Sequence, residues 1–177
     1  MRHSLKAFTL IELTVVIAVL ALLAAAVMPF LAAAEVGGKE RAFLSNLKGL
    51  AIEGRETAIN SGRDVTLTYD DTNNAFTLKT TDSNGDDQDI KSEDMPPSLK
   101  TTKFEVGTQD SNAGDWKVLF YPDGTSDGGG VEIARGNDTL SLYIDKSTGR
   151  SQMISDQLPD PKADSWTAGD YVHRTSS

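Results

Sequence analysis

The chain contains no cysteine and only two histidines. No disulfide and no thiolate metal site is therefore available. His3 and His173 are far apart in sequence and build neither a histidine-based metal site nor a catalytic triad. Basic residues are also scarce: 17 Lys and Arg face 26 Asp and Glu, a formal net charge of −9. No Lys/Arg cluster breaks that balance, and an acidic surface repels phosphate backbones, which argues against nucleic acid as a partner. The glycine-rich Gly124–Gly130 run has neither the following lysine nor the helix that a phosphate cradle needs, and reads as a strand connection. Carboxylates are so abundant that no acid–base pair stands out. No nucleophile–base arrangement can be named, and the chain reads as a non-enzyme.

What the sequence does have is one long uncharged run. From Leu13 to Ala34 there are 22 residues without a charge, about 33 Å of helix and enough to cross a hydrocarbon layer of about 30 Å. Glu12 is set five residues into the wider apolar run, and a carboxylate at that depth costs about 2.5–3.5 kcal/mol. An ordinary secretory signal cut at Ala32-Ala33-Ala34 would have an apolar core far longer than the usual one of about 7–15 residues. A plain signal anchor fits the length but gives no reason for Glu12.

Arg2 and Lys6, the small residue Ala7, then Phe8-Thr9-Leu10-Ile11-Glu12 and the apolar run together resemble the N-terminal signal of type IV prepilins and type II secretion pseudopilins. The resemblance implies cleavage by a prepilin peptidase between Ala7 and Phe8, N-methylation of Phe8, and a role for Glu12 as the carboxylate that pairs with a neighbouring subunit's amino terminus during filament assembly. The chain departs from the family at Ala7, where glycine is usual, and the departure bears on how efficiently it is cut. Loss of Arg2 and Lys6 leaves 15 basic against 26 acidic residues, a net charge of −11. The positive-inside rule keeps those leader charges in the cytoplasm and sends the rest of the chain across the bacterial inner membrane, into the periplasm or beyond.

Five segments follow: a leader over 1–7, a transmembrane and assembly helix over 8–34, an amphipathic second half of that helix over 35–62, an antiparallel β domain over 63–154, and an irregular tail over 155–177. Pro29 is expected to bend the helix and Gly37-Gly38 to weaken it. Phe43, Leu47, Leu50, Ala51, Ala58 and Ile59 recur at three- and four-residue spacing, which predicts one packed face. Gly62 is placed to end the helix in a left-handed turn, and Gly49 and Gly54 suggest close approach of a sheet. From Asp64 the period becomes two. Val65–Tyr69 and Ala75–Lys79 predict a hairpin around Asp70–Asn74. Further strands are expected at 103–106, 116–121, 130–134, 140–144 and 150–154. The fold class is α+β, a long N-terminal helix on antiparallel sheets.

Leu47, Ala51 and Arg55-Glu56-Thr57-Ala58-Ile59, with Tyr121-Pro122-Asp123-Gly124-Thr125 and Ser147-Thr148-Gly149-Arg150, resemble the H-type minor pseudopilins (GspH/FimT-like). That resemblance implies a pilin-like β-sandwich and a structural minor subunit of a type II secretion pseudopilus, with other pilin subunits as partners and no cofactor. The alternative is a minor type IV pilin serving pilus biogenesis or ligand or DNA capture. One acidic run stands apart: Asp82, Asn84, Asp86 and Glu93 occupy positions 1, 3, 5 and 12 of a calcium-loop template, though Asp87 stands where the template wants glycine. The competing reading is a solvated acidic loop between strands. Trp116 is expected to anchor the core beside Phe120, and Trp166 and Tyr171 to cover it or meet a partner.

Overall fold

A computed structural model describes residues 10–81 and 87–159. Helix α1 spans Leu10–Ser61 and stays helical through Pro29 and Gly37-Gly38. The chain divides into two compact units at Lys39/Glu40.

In the first unit α1 is apolar and uncovered: Leu10, Leu22 and Phe30 are 82%, 72% and 75% exposed. Among the described residues this is the one helix long and apolar enough to cross a membrane.

In the second unit Phe43, Leu44, Leu47, Leu50, Ala51 and Ala58 are buried in the core. Ile59, expected in that stripe, is 40% exposed instead. Gly62 ends α1 with φ 67° and donates its N–H to Ala58 O at 3.0 Å, a left-handed cap that glycine adopts without a Cβ penalty. Gly54 fits the expected close approach: a Cβ there would meet Leu78 at 2.8 Å and Phe120 at 3.0 Å. Gly49 does not, since nothing lies within 4 Å of its position.

Nine strands follow: β1 Val65–Asp70, β2 Ala75–Thr81, β3 Asp87–Asp94, β4 Leu99–Val106, β5 Gln109–Ser111, β6 Lys117–Phe120, β7 Gly129–Arg135, β8 Asp138–Ile144 and β9 Ser151–Ile154. They form two antiparallel sheets, ordered β3-β2-β1-β6 and β5-β4-β7-β8-β9. The hairpin β1–β2 has the expected register, with Leu67 opposite Leu78 and Tyr69 opposite Phe76. The inward residues of both sheets share one core with the helix, among them Val65, Leu67, Leu78, Phe120, Val131, Ile133, Leu142 and Ile144. Trp116 is buried there, but its aromatic neighbours are Phe76 at 5.8 Å and Phe104 at 5.5 Å, and its indole N–H donates to Glu105 O at 3.0 Å.

Residues 155–159 run without strand structure beside the second sheet. Ser141 Oγ donates to Asp156 O at 2.6 Å, and Leu158 N–H donates to Glu132 Oε1 at 3.0 Å. Leu158 is thereby buried against Gly130. Trp166 and Tyr171 lie outside the described residues.

Candidate functional site

The N-terminal segment is built by helix propensity on an uncovered apolar surface. Ala7 and Phe8 lie outside the described residues. Glu12 sits in the first turn of α1, where a carboxylate is favoured by the helix dipole. Two residues on, Thr14 Oγ1 donates to Ile11 O at 2.8 Å, an internal bond that lets a hydroxyl sit in an apolar helix. Around Glu12 the exposed side chains are Leu10, Ile11, Leu13, Val15 and Val16. A stripe of this size is unfavourable in water and favourable against lipid or other apolar helices.

The second unit contains a joint that its sequence did not announce. Arg55, half-buried on α1, donates its Nε–H to Thr148 O at 2.7 Å and Gly124 O at 3.2 Å. One guanidinium thus ties the helix to two turns, one after β6 and one between β8 and β9. In the first turn Gly124 N–H donates to Tyr121 O at 2.9 Å, with Gly124 at φ 85°. Asp123 Oδ1 accepts from Thr125 N–H at 2.9 Å and Thr125 Oγ1 at 2.7 Å. The second turn repeats the device: Asp145 Oδ1 accepts from Thr148 N–H and Oγ1, both at 2.8 Å, and Gly149 has φ 60°. A Cβ on Gly149 would meet Gly124 O at 2.5 Å and Arg55 Cδ at 3.1 Å, so the three residues fit only with glycine there. The residue letters at Arg55, Gly124 and Gly149 were visible in the sequence, but their meeting in space was not.

The threonine hydroxyls, and next the threonine N–H groups, hold the Asp123 and Asp145 carboxyls below the usual carboxylate range. A depressed folded pKa gives stability that is present above the unfolded pKa and lost as pH falls through the folded one. Thermal stability should therefore fall in acid below about pH 4. A double Asp123→Asn, Asp145→Asn variant should show a shallower acid limb, read as melting temperature against pH. An unchanged limb would mean that the two turns contribute nothing to acid sensitivity.

The acidic run differs from its reading as a loop. From Asp87 to Asp94 it is strand β3, paired with β2 through Phe76–Glu93 and Thr77–Ser92. Glu93, position 12 of the calcium template, accepts from Asn46 Nδ2 at 2.8 Å. An extended chain puts it about 20 Å from Asp87, so this half of the run does not curl around one cation as a calcium loop does. Asp82, Asn84 and Asp86 lie outside the described residues. Among the described residues no group of three His, Asp or Glu is placed to hold a metal.

The glycine run is a place of close backbone approach. Gly129, with φ 113°, faces Glu105 O on β4, and Gly130 faces Leu142 O on β8.

The chain matches the family described as Type II transport protein GspH over residues 47–149. It matches the prokaryotic N-terminal methylation motif over residues 2–28. Among solved structures it is similar to the minor pseudopilin EpsH from the type 2 secretion system of Vibrio cholerae, with 13% identity and a TM-score of 0.54, covering 66% of this chain and 97% of that one. It is also similar to the type IV minor pilin FimU of Pseudomonas aeruginosa, with 13% identity and a TM-score of 0.52, covering 69% of this chain and 93% of that one. The comparison with curated proteins gives no match. The GspH match contains the whole Arg55 joint, and the methylation motif contains Glu12.

Proposed function

This chain belongs to the GspH family of type II transport proteins, and from that premise we propose that it is a minor subunit of a secretion pseudopilus. Its role is structural rather than catalytic, and it supports protein secretion through assembly with other pilin subunits. A prepilin peptidase cuts between Ala7 and Phe8 and methylates Phe8. The apolar helix then holds the subunit in the bacterial inner membrane as a single pass, with the β domain outside, until it enters the filament.

One observation carries this reading: an N-terminal methylation motif sits on an uncovered apolar helix whose first turn holds a carboxylate, Glu12. In a bundle of apolar helices the dielectric is low, and a carboxylate there gains strongly from a close cation with good hydrogen-bond geometry. The methylated amine of a neighbour's Phe8 is such a cation.

Intact mass and terminal sequencing of the protein from native membranes should find a chain beginning at N-methylated Phe8. The variant Glu12→Ala should still be cut and inserted, while its recovery in sheared filaments falls about tenfold or more. A chain beginning at Glu35 or still carrying Met1, or a Glu12→Ala variant incorporated normally, would overturn the proposal.

The second reading, a minor type IV pilin, is favoured by the fold shared with FimU. Its ligand-capture form is not favoured for DNA, because the processed chain has a net charge of −11, from 15 basic against 26 acidic residues. A gel shift at low salt with the processed protein checks that point, and retardation of duplex DNA would favour it.

A further inference from the structure

Strand β9 is the outer strand of the second sheet. Asp145 N–H donates to Arg150 O at 2.9 Å, so the next pair along, Ile144 and Ser151, is a non-hydrogen-bonded one. The N–H and C=O of Ser151 therefore point away from β8, to the open edge. Such an edge offers its backbone groups to a further extended segment. Beside it, Lys48, Ile52, Arg55 and Glu56 of α1 line a groove of about 260 Å³ together with Arg150 and Ser151.

The groove is unfinished in three respects. It holds three cations against one carboxylate in a chain of net charge −9. Arg55 is engaged with Thr148 and Gly124, but among the described residues no ion pair within 4.0 Å joins Lys48 or Arg150 to an acid. Its apolar part, Ile52, is 42% exposed. Ser151 Oγ is, among the described residues, the one buried side-chain polar atom without a hydrogen-bond partner, a state that costs free energy until a partner is supplied.

We propose that this groove takes an extended, acid-bearing segment of a different pilin subunit, laid against the open edge of β9 with its carboxylates on Lys48 and Arg150. In strand addition of this kind backbone pairing holds the segment and alternate side chains set its identity. A segment whose acids and one apolar residue share a face meets Lys48, Arg150 and Ile52 together. A lipid headgroup would use the cations but neither the strand edge nor Ile52. The charges fix register and partner more than they add raw affinity. The inference rests on the reading of the chain as a minor subunit, which meets other pilin proteins rather than rows of its own copies.

A photoreactive p-benzoylphenylalanine at residue 52 of the full chain, in cells with their native machinery, tests the contact. The same label at residue 56 serves where the ring at 52 fills the groove. Irradiation should join the chain to a second protein that carries an N-terminal methylation motif, through a peptide rich in Asp and Glu identified by mass spectrometry. Lys48→Glu with Arg150→Glu should cut the yield about tenfold. The melting temperature should stay unchanged, because neither residue is ion-paired within the chain. The milder Lys48→Gln, Arg150→Gln chain should also lose most of the product. Lysines in place of the crosslinked acids of the partner should restore the yield of the reversed chain. Absence of product from both labels would overturn the proposal, as would products with lipid or with copies of this chain, or a yield indifferent to charge reversal. N-terminal sequencing of the same samples separates the two failures: methylated Phe8 without a crosslink overturns this contact alone, and an unprocessed chain overturns the filament reading with it.

Discussion

Replacing Gly129 by alanine should destabilise the β domain by about 4 kcal/mol, enough to leave much of it unfolded at 37 °C. Two costs add. The first is conformational: φ is 113° at this residue, beyond the left-handed well in which Asn or Asp sometimes substitute for glycine. The second is steric, because a Cβ would run into the carbonyl group of Glu105, which is backbone of the neighbouring strand and cannot swing aside like a side chain. Moving it would disturb the ladder in which Glu105 faces Gly130 and Val106 faces Gly129. It would also disturb the carbonyl that accepts the Trp116 indole N–H. Gly136 gives the cost at an ordinary left-handed glycine with no clash. Its φ is 61° and nothing lies within 4 Å, so Gly136→Ala should cost only about 1 kcal/mol. Guanidinium titrations of the full chain in detergent, followed by tryptophan fluorescence, measure both. Equal effects at the two positions would mean that neither the clash nor the wider φ at Gly129 adds to the cost of a left-handed glycine.

The contrast with Gly124–Gly130 read as a bare connection shows where the sequence speaks and where it does not. The hairpin β1–β2 was legible because β1 buries every second residue, which imposes alternation in Val65-Thr66-Leu67-Thr68-Tyr69. Strand β3 was not legible. It is exposed on nearly every residue, so burial imposes no alternation, and its acids look like loop chemistry. What makes it a strand is non-local: pairing with β2 and the reach of Lys91 and Glu93 to α1. Strand β4 begins at Leu99 rather than Lys103, because a buried Leu99 follows the Pro96-Pro97 pair that reads as a break. The three-residue β5 carries too few residues to show any period. At the N-terminus the reverse holds. Glu12 at the edge of an apolar run is a local anomaly, visible at once.

The Arg55 joint lies between these cases, and it carries the second large prediction. Arg55→Ala should cost about 2–3 kcal/mol, because a charged donor is lost from two turn carbonyls. Water can reach Thr148, which is exposed, but Gly124 is buried, so its carbonyl is the less easily compensated of the two. Arg55→Lys should recover only part of the loss, since an ammonium on a flexible stem does not reproduce a rigid guanidinium wedged between two carbonyls. Gly149→Ala should also be costly, from φ 60° and from contact with Gly124 O. Combined with Arg55→Ala, however, it should cost less than the sum, by about 1 kcal/mol, because both changes open the same joint. A double-mutant cycle by guanidinium denaturation measures that coupling. Hydrogen exchange at the Gly124 and Gly149 amides, which bond to Tyr121 O and Asp145 O, should accelerate in Arg55→Ala before the core amides do. Strict additivity, with both turns still protected, would show that the turns hold themselves and that Arg55 merely lies between them. Coupling would show instead that a single side chain on α1 transmits the position of the helix to the ends of β6, β8 and β9.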